Sequence, residues 1–323
     1  MLAFVTKRLL ASVPLLLGVL TLVFLLLEAA PGEPFQTLSE PGADPHAAER
    51  LRRVFGADRP VDERYLDWLS GFLTGDLGVS PSLRRPVFEL VREAAGNTVV
   101  LAGSALILQF LAGIALGATA AWARGRLLDR AITLAASVLY SIPSYWLGLV
   151  LVWLLAVRCG LFPVSQMYSL DAPALGALAR LADAAWHLVL PVLCLVLPTA
   201  AGIALTVRDR MAAALATGYA QSARARGVSR GGVAVRHALP SSLLPVVNLL
   251  GLAVPALLGG SVVIEVLFAW PGMGRLAYQA VLARDAPLVL GCTCAGAILV
   301  VLGSLGADLL AAILDPRVRE GTA

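Results

Sequence analysis

The chain of 323 residues is 59% hydrophobic and only 14% charged, with a formal net charge of +4 and a mean hydropathy of +0.82. A soluble protein of this length cannot bury so much apolar surface, so the composition excludes a soluble globular domain. We therefore expect an all-α membrane protein whose surroundings are a lipid bilayer, and no nucleic-acid partner.

Six apolar stretches are long enough to cross a hydrocarbon layer of about 30 Å as helices. Lys7 and Arg8 precede the first stretch, but its length and the absence of a small-residue cleavage site after it indicate a retained anchor and not a signal peptide. The predicted spans lie near residues 9–29, 98–121, 131–157, 186–207, 241–263 and 287–312.

The distribution of cations predicts the orientation, because Lys and Arg in short loops are seldom translocated. With a cytoplasmic N-terminus, thirteen cations fall in the cytoplasm and the short outer loops hold only Arg158, Arg180, Arg275 and Arg284. Both termini are then cytoplasmic. The thirteen are Lys7, Arg8, Arg124, Arg126, Arg130, Arg208, Arg210, Arg224, Arg226, Arg230, Arg236, Arg317 and Arg319.

The first outer loop, residues 31–97, is predicted to be a small helical insertion in what is otherwise a single membrane domain over 1–323. A short helix is expected from His46 to Phe55, and a second after Pro60. Residues 75–78, Gly-Asp-Leu-Gly, indicate a turn, and a third helix from Val87 to Glu93 leads into the second span. We interpret the insertion as a cap packed on the helical bundle.

Enzymatic chemistry has no support in the sequence. Lys7 is the only lysine, so a phosphate-binding loop that ends in Gly-Lys-Ser/Thr is impossible. His46 with Glu49, and His187 with Asp183, are interpreted as helix-surface pairs because neither has a third ligand nearby. The four cysteines are expected to be small packing residues. We predict no catalytic, cofactor or metal residue in this chain.

Polar groups at membrane depth are also scarce, although ion-coupled carriers usually need them. Glu28, Glu265 and Asp308 lie near or within span ends, and the spans themselves offer chiefly Gln109 and Asn248. A self-standing secondary carrier or channel is therefore the weaker interpretation, and the driving force is expected to come from a partner.

The predicted cytoplasmic loop 209–240 contains a stretch that carries arginines but no acids over residues 219–240. A helix is expected from Met211 to Arg226, and Gly227 should break it. Ser229 is expected to cap a second short helix, which Pro240 ends at the membrane. On these residues alone, a docking knob for a partner and an ordinary basic loop near lipid phosphates are equally consistent.

The loop resembles the coupling motif of ABC-transporter permeases, with Gln221-Ser-Ala223, Gly227 and His237-Ala-Leu-Pro240 in its core positions. It is similar more narrowly to the dipeptide, oligopeptide and nickel permeases, which agree with this chain in several further stretches along nearly its whole length. These are residues 75–78, 141–148, 161–165, 266–274 and 315–319. Gln221 stands where the general motif usually has Glu.

The resemblance implies the type I ABC importer permease fold and a position in the bacterial inner membrane. It also implies a second permease, two subunits that bind ATP and Mg²⁺, and a periplasmic or lipid-anchored solute-binding protein. Peptides are the implied substrate, with nickel or a metal chelate as the alternative. The residues assigned to coupling are Tyr219, Ala220, Gln221, Ala223, Arg224, Arg226, Gly227, His237 and Pro240.

A second set of residues is expected at the external mouth of the transport path. Glu265 lies at the end of a span and is followed by Trp270 and a Pro-Gly turn before Arg275. A charge, an interfacial aromatic and a tight turn would then lie together. Prolines 143, 191, 198 and 255 are expected either to bend the spans during transport or to be static kinks.

Overall fold

The computed structural model describes residues 2–29 and 59–314, which are almost entirely helical. The α-helices are α1 (Leu2–Ala29), α2 (Val61–Thr74), α3 (Val87–Trp122), α4 (Leu127–Ser141), α5 (Ser144–Leu151), α6 (Ala177–Leu215), α7 (Gly218–Ala225), α8 (Arg230–Val233), α9 (Leu239–Leu267), α10 (Met273–Leu282) and α11 (Ala286–Leu314). Two π-helical segments, Val152–Arg158 and Ala234–Ala238, and a 3₁₀ turn at Ala172–Ala174 complete the list.

The all-α prediction is confirmed. Within the described ranges the only β-type pairing is an isolated bridge between Val79 and Pro86. The expected helix at 46–55 and the similar stretch at 315–319 lie outside the described residues.

Among residues 2–29 and 59–314, five helices are long and apolar enough to cross a membrane, within α1, α3, α6, α9 and α11. The sixth predicted span, 131–157, is not one straight helix. It is the pair formed by residues 127–141 and 144–158, bent by 105°, so the count reaches six only when this pair is one span.

The bend has a local cause at Ile142 and Pro143. A proline disfavours the helical conformation in the residue before it, and Ile142 is extended, with φ −87° and ψ 127°. Pro143 stands at the N-cap of α5 and therefore ends one helix and begins the next. By contrast, Pro191, Pro198 and Pro255 lie inside continuous helices.

The described chain divides into two compact units, and the larger contains residues 99–270 and the chain from 302 onward. Its core is formed by buried side chains of α3, α6 and α9, including Leu101, Leu190 and Ile264. Helices α3 and α6 approach very closely at Gly113 and Gly117. A Cβ on Gly117 would lie 2.5 Å from the carbonyl oxygen of Ala204, so this spacing of two small residues permits direct backbone contact.

The smaller unit contains residues 2–98 and 271–301, as far as they are described. Helix α2 packs on α1, where the hydroxyls of Tyr65 and Thr21 lie 2.7 Å apart. Arg64 donates two hydrogen bonds to the carboxylate of Glu28, at 3.0 and 2.5 Å. The predicted helix after Pro60 and the turn at 75–78 are confirmed.

Two features of the smaller unit differ from the sequence prediction or were missed by it. The expected helix from Val87 to Glu93 and the second span form one continuous helix, α3. The carboxylate of Asp285, which is 2% exposed, accepts hydrogen bonds from the hydroxyls of Ser80 and Ser82 at 2.5 and 2.6 Å. These hydrogen bonds hold the loop before α3 against the start of α11.

Candidate functional site

The loop predicted to couple to a partner forms a helical hairpin. Helix α7 ends at Ala225, Gly227 adopts the left-handed conformation with φ +85°, and α8 begins at Arg230. The amide of Val228 donates to the carbonyl of Ala223 at 3.2 Å. This bond and the Gly227 conformation are those of a Schellman helix end, which favours glycine because a Cβ strains this backbone.

The N-terminal end of α8 is capped as the sequence predicted. The Ser229 hydroxyl accepts a hydrogen bond from the amide of Gly232 at 3.1 Å. An N-cap serine satisfies one of the amides that lack a partner within the helix. The predicted break at Gly227 and the cap at Ser229 are thus both confirmed.

Two of the expected helix boundaries in the loop are wrong. The predicted helix from Met211 to Arg226 is interrupted, because α6 ends at Leu215 and α7 starts at Gly218. The Thr217 hydroxyl donates a hydrogen bond to the carbonyl of Ala214 at 2.7 Å. This bond competes with the backbone hydrogen bonds that would continue the helix. Pro240 does not end a helix, because the helical backbone continues from the π-helical segment into α9 and Pro240 lies in the first turn of α9.

The two alanines assigned to partner contact face the interior of the hairpin. Ala220 and Ala223 are 1% and 0% exposed and pack with Val233. Their small size allows α7 and α8 to approach each other, and not a partner to approach α7. A charged residue at Ala223 would therefore disrupt the packing of the hairpin itself.

The outer surface of the hairpin consists of other members of the predicted set. Gln221, Arg226, Gly227 and Pro240 are exposed, and Tyr219 is 54% exposed. The side chain of Arg224 lies outside the described part of the structure. The surface that a partner can reach is thus polar and basic, with one aromatic ring.

A hydrogen bond joins the two arms of the hairpin at its base. The Tyr219 hydroxyl and His237 Nδ1 lie 2.8 Å apart, and their rings meet edge to face with centroids 5.5 Å apart. His237 belongs to the π-helical segment that leads into α9. The contact therefore connects α7 to the helix that crosses the membrane.

The hairpin is attached to the ends of two longer helices by small buried residues. Ala234 and Ala238 pack against Ala121 of α3 and against Met211 and Ala212 of α6. Close to this contact, Arg208 binds the buried carboxylate of Asp129 with two hydrogen bonds. The sequence analysis placed Arg208 among the cytoplasmic cations but did not identify its acidic partner.

Two of the residues expected at an external mouth are buried inside the larger unit. Glu265 and Trp270 are both fully buried in the larger unit, and the Glu265 carboxylate accepts a hydrogen bond from Ser261 at 3.2 Å. Arg275 belongs to the smaller unit. The external mouth formed by Glu265, Trp270 and Arg275 therefore stays a prediction.

Two minor expectations are also corrected. His187 is 7% exposed and its Nδ1 lies 2.8 Å from the backbone carbonyl of Asp183, so the ring is buried and not on a helix surface. Cys159 is exposed, whereas the other three cysteines are buried as expected. Among residues 2–29 and 59–314, no group of three potential metal ligands is found.

Comparisons with known proteins agree along nearly the whole chain. Residues 113–320 match the family described as binding-protein-dependent transport system inner membrane component, and residues 1–101 match the N-terminal model of the same component. The chain is 35% identical over 319 residues to the oligopeptide transport system permease protein AppB of Bacillus subtilis (strain 168), covering 98% of this chain and 99% of that protein.

The dipeptide transport system permease protein DppB of Escherichia coli (strain K12) is 34% identical over 338 residues, with 99% of each chain covered. Among solved structures, a chain of the MetNI methionine ABC transporter in an inward-facing conformation matches with a TM-score of 0.52 and 19% identity. The match covers 70% of this chain and 96% of that one, and it shows a shared fold.

The apolar helices and the family match define a multi-pass membrane protein of the permease class. The chain belongs to the family of inner membrane components of binding-protein-dependent transport systems. The resemblance to ABC importer permeases that the hairpin motif indicated is confirmed.

Proposed function

We propose that this chain is one of two permease subunits of an ATP-driven importer that moves di- or oligopeptides from a solute-binding protein into the cytoplasm. The observation that carries the proposal is the full-length similarity to oligopeptide and dipeptide permeases. Because the similarity extends from one end of the chain to the other, it includes the spans as well as the hairpin.

Two partner subunits bind ATP and Mg²⁺ in this proposal and hydrolyse the ATP. The chain itself cannot form the lysine-containing phosphate loop, since Lys7 is its only lysine. It therefore contributes movement and a path, and no catalysis. A second permease completes the path, and a soluble or lipid-anchored binding protein delivers the substrate.

The hairpin formed by α7 and α8 is the element on which an ATP-binding subunit acts. Its exposed surface, with Tyr219, Gln221 and Arg226, is available to a partner, whereas its alanines hold the two arms together. The base is fixed to α3, α6 and α9 by buried contacts. A displacement of the hairpin is therefore transmitted to the membrane-spanning helices as a rigid-body motion.

The proposed orientation places the hairpin and both termini in the cytoplasm. It rests on the thirteen-to-four distribution of cations between the short loops. The insertion at 31–97 then lies on the periplasmic side, where the binding protein docks.

The experiment is reconstitution in proteoliposomes of this chain with its second permease, its ATP-binding subunits and its binding protein. We expect uptake of labelled dialanine only when ATP is supplied on the side of the ATP-binding subunits, and no ATP hydrolysis by the isolated chain. Uptake by the isolated chain, driven by a proton or sodium gradient, would refute the proposal. Uptake of Ni²⁺ or a nickel chelate without any peptide uptake would retain the importer and reject the peptide substrate.

A further inference from the structure

The larger unit contains a cavity of about 520 Å³ at membrane depth. Its walls come from α3, α4, α6 and α9, with Tyr140, Thr199 and Gly202 on one side and Leu252 and Ala256 on the other. The volume lies in the range of small-molecule sites, which is roughly 300–1,000 Å³. The cavity opens at a surface where Tyr140, Leu252 and Ala256 are exposed.

One wall of the cavity is formed by the ring of Tyr140, which rests on Gly202. A Cβ on Gly202 would lie 2.8 Å from the ring, so only glycine leaves room for this arrangement. Tyr140 lies near the end of α4, about 20 Å along the axis from Leu127 at 1.5 Å per residue, and just before the 105° bend. The ring therefore limits the cavity well inside the bilayer.

The chemistry of the walls favours an uncharged but partly polar occupant. None of the described residues that line the cavity is an acid, a lysine, an arginine or a histidine. Thr199 and Thr206 donate to the carbonyls of Leu195 and Gly202, at 3.2 and 3.0 Å, and their oxygens retain acceptor capacity. The Tyr140 hydroxyl forms no hydrogen bond with any described residue.

The Tyr140 hydroxyl argues against a lipid acyl chain as the occupant, whereas the two threonine hydroxyls are already bonded to carbonyls of their own helix. A polar group that faces hydrocarbon without a hydrogen-bond partner costs free energy. A peptide in a hydrated path offers both apolar side-chain surface and backbone donors and acceptors. The arrangement thus matches a peptide better than a lipid.

We propose that this cavity receives an uncharged side chain of a peptide in transit, and that Tyr140 and Ala256 set the size of the side chain that fits. The inference rests on the proposed function and deepens it. In this inference, Tyr140 and Ala256 select peptides by the size of their side chains. This selection is separate from the selection of peptides by the binding protein.

The test compares import of diphenylalanine with import of dialanine by the reconstituted importer at saturating binding protein. Ala256→Leu fills the cavity and is expected to lower the diphenylalanine-to-dialanine rate ratio by about tenfold. Tyr140→Ala enlarges the cavity and is expected to raise the ratio. Gly251→Leu is the matched control, because Gly251 lies on the same helix, does not line the cavity, and a Cβ added there meets nothing within 4 Å.

An unchanged ratio in both cavity variants would overturn the inference, as would an equal loss of both substrates in a variant that assembles normally. In either case continued ATP-dependent dialanine import would leave the proposed function intact. Absence of import of either peptide by the parent would instead reject the proposed function.

A photo-crosslinking measurement identifies the occupant directly. The residue p-benzoylphenylalanine replaces Leu252, which is 70% exposed and lines the cavity, and the importer is irradiated during turnover with labelled diphenylalanine. An adduct with the peptide is the expected result. Adducts only with phospholipid, or only with the second permease, would show a different occupant and overturn the inference.

Discussion

The guanidinium of Arg208 donates two hydrogen bonds to the carboxylate of Asp129, with Nε–Oδ1 and Nη2–Oδ2 distances of 2.6 and 3.1 Å. Asp129 is 3% exposed and also accepts the backbone amide of Gly125 at 2.9 Å. The pair thus ties the turn before α4 to the end of α6, close to Met211 and Ala212, on which the hairpin rests. The pair therefore stabilises the base of the hairpin formed by α7 and α8.

Loss of this pair is expected to destabilise the protein measurably. Asp129→Asn leaves the Arg208 charge without its main partner, and the expected cost lies between the roughly 1 kcal/mol of an exposed pair and the roughly 3 kcal/mol of a buried one, because Arg208 is partly exposed. We expect a lower thermal unfolding temperature in detergent and partial recovery in the double variant with Arg208→Gln. Asp209→Ala is the control, because Asp209 also contacts Arg208 at 2.7 Å but its side chain is 71% exposed. Equal effects of the two single variants would contradict the structural role of Asp129.

Gly227→Val is expected to uncouple ATP hydrolysis from transport. The left-handed backbone at φ +85° is strained for a β-branched residue, at a cost on the order of 1–3 kcal/mol, so the turn between α7 and α8 should change. The measurement is substrate-stimulated ATP hydrolysis in membranes, together with co-purification of the ATP-binding subunits. Gly218→Ala serves as the control, because a Cβ meets nothing within 4 Å at either glycine but only Gly227 has the left-handed backbone. Normal coupling in Gly227→Val would show that the turn is not needed for docking.

Gln109→Leu is expected to stabilise the chain. Gln109 is fully buried in α3, and neither atom of its amide group has a hydrogen-bond partner within the described residues. An unsatisfied buried amide costs about 1–3 kcal/mol, which an apolar side chain of similar size does not incur. Thermal unfolding in detergent should therefore shift upward, whereas Gln109→Asn should not give this gain. A downward shift for Gln109→Leu would mean that the amide forms interactions that stabilise the fold.

The orientation is tested by labelling a single cysteine at Ala225 after the four native cysteines are replaced. Ala225 lies at the end of α7 and is exposed, so a thiol there is accessible to reagents. We expect modification by a membrane-impermeant maleimide in inside-out vesicles and none in intact cells. Labelling in intact cells would reverse the predicted topology.

Structural features that depend on local composition could be predicted from the sequence alone. Apolar stretches predicted the spans, and Gly227 and Ser229 predicted the helix end and the cap, because such signals act within a few residues. Pro143 was noted in the sequence, but the size of the bend was not predictable because a proline marks a break in a helix without setting its angle.

Features that depend on the partner of a side chain were not predictable. Asp129 and Arg208 are 79 residues apart in the chain, and nothing in the sequence pairs them. Ala220 and Ala223 were assigned to coupling, but the sequence does not show that their side chains pack against Val233 inside the hairpin. Hydropathy placed Glu265 near the end of a span but does not report which way a helix is rotated, and the residue is buried.

The central claim is that the exposed surface of the hairpin docks on an ATP-binding subunit, and cysteine cross-linking in the assembled importer tests it most directly. A single cysteine replaces Gln221, which is exposed on α7, in a background without other cysteines, and the importer is treated with a short bifunctional reagent. Leu170→Cys is the control, because Leu170 lies on an exposed loop that is predicted to lie outside. The account predicts a covalent product between this chain and the ATP-binding subunit from position 221 and none from position 170. No such product from position 221, in an importer shown to hydrolyse ATP and transport, would contradict the account.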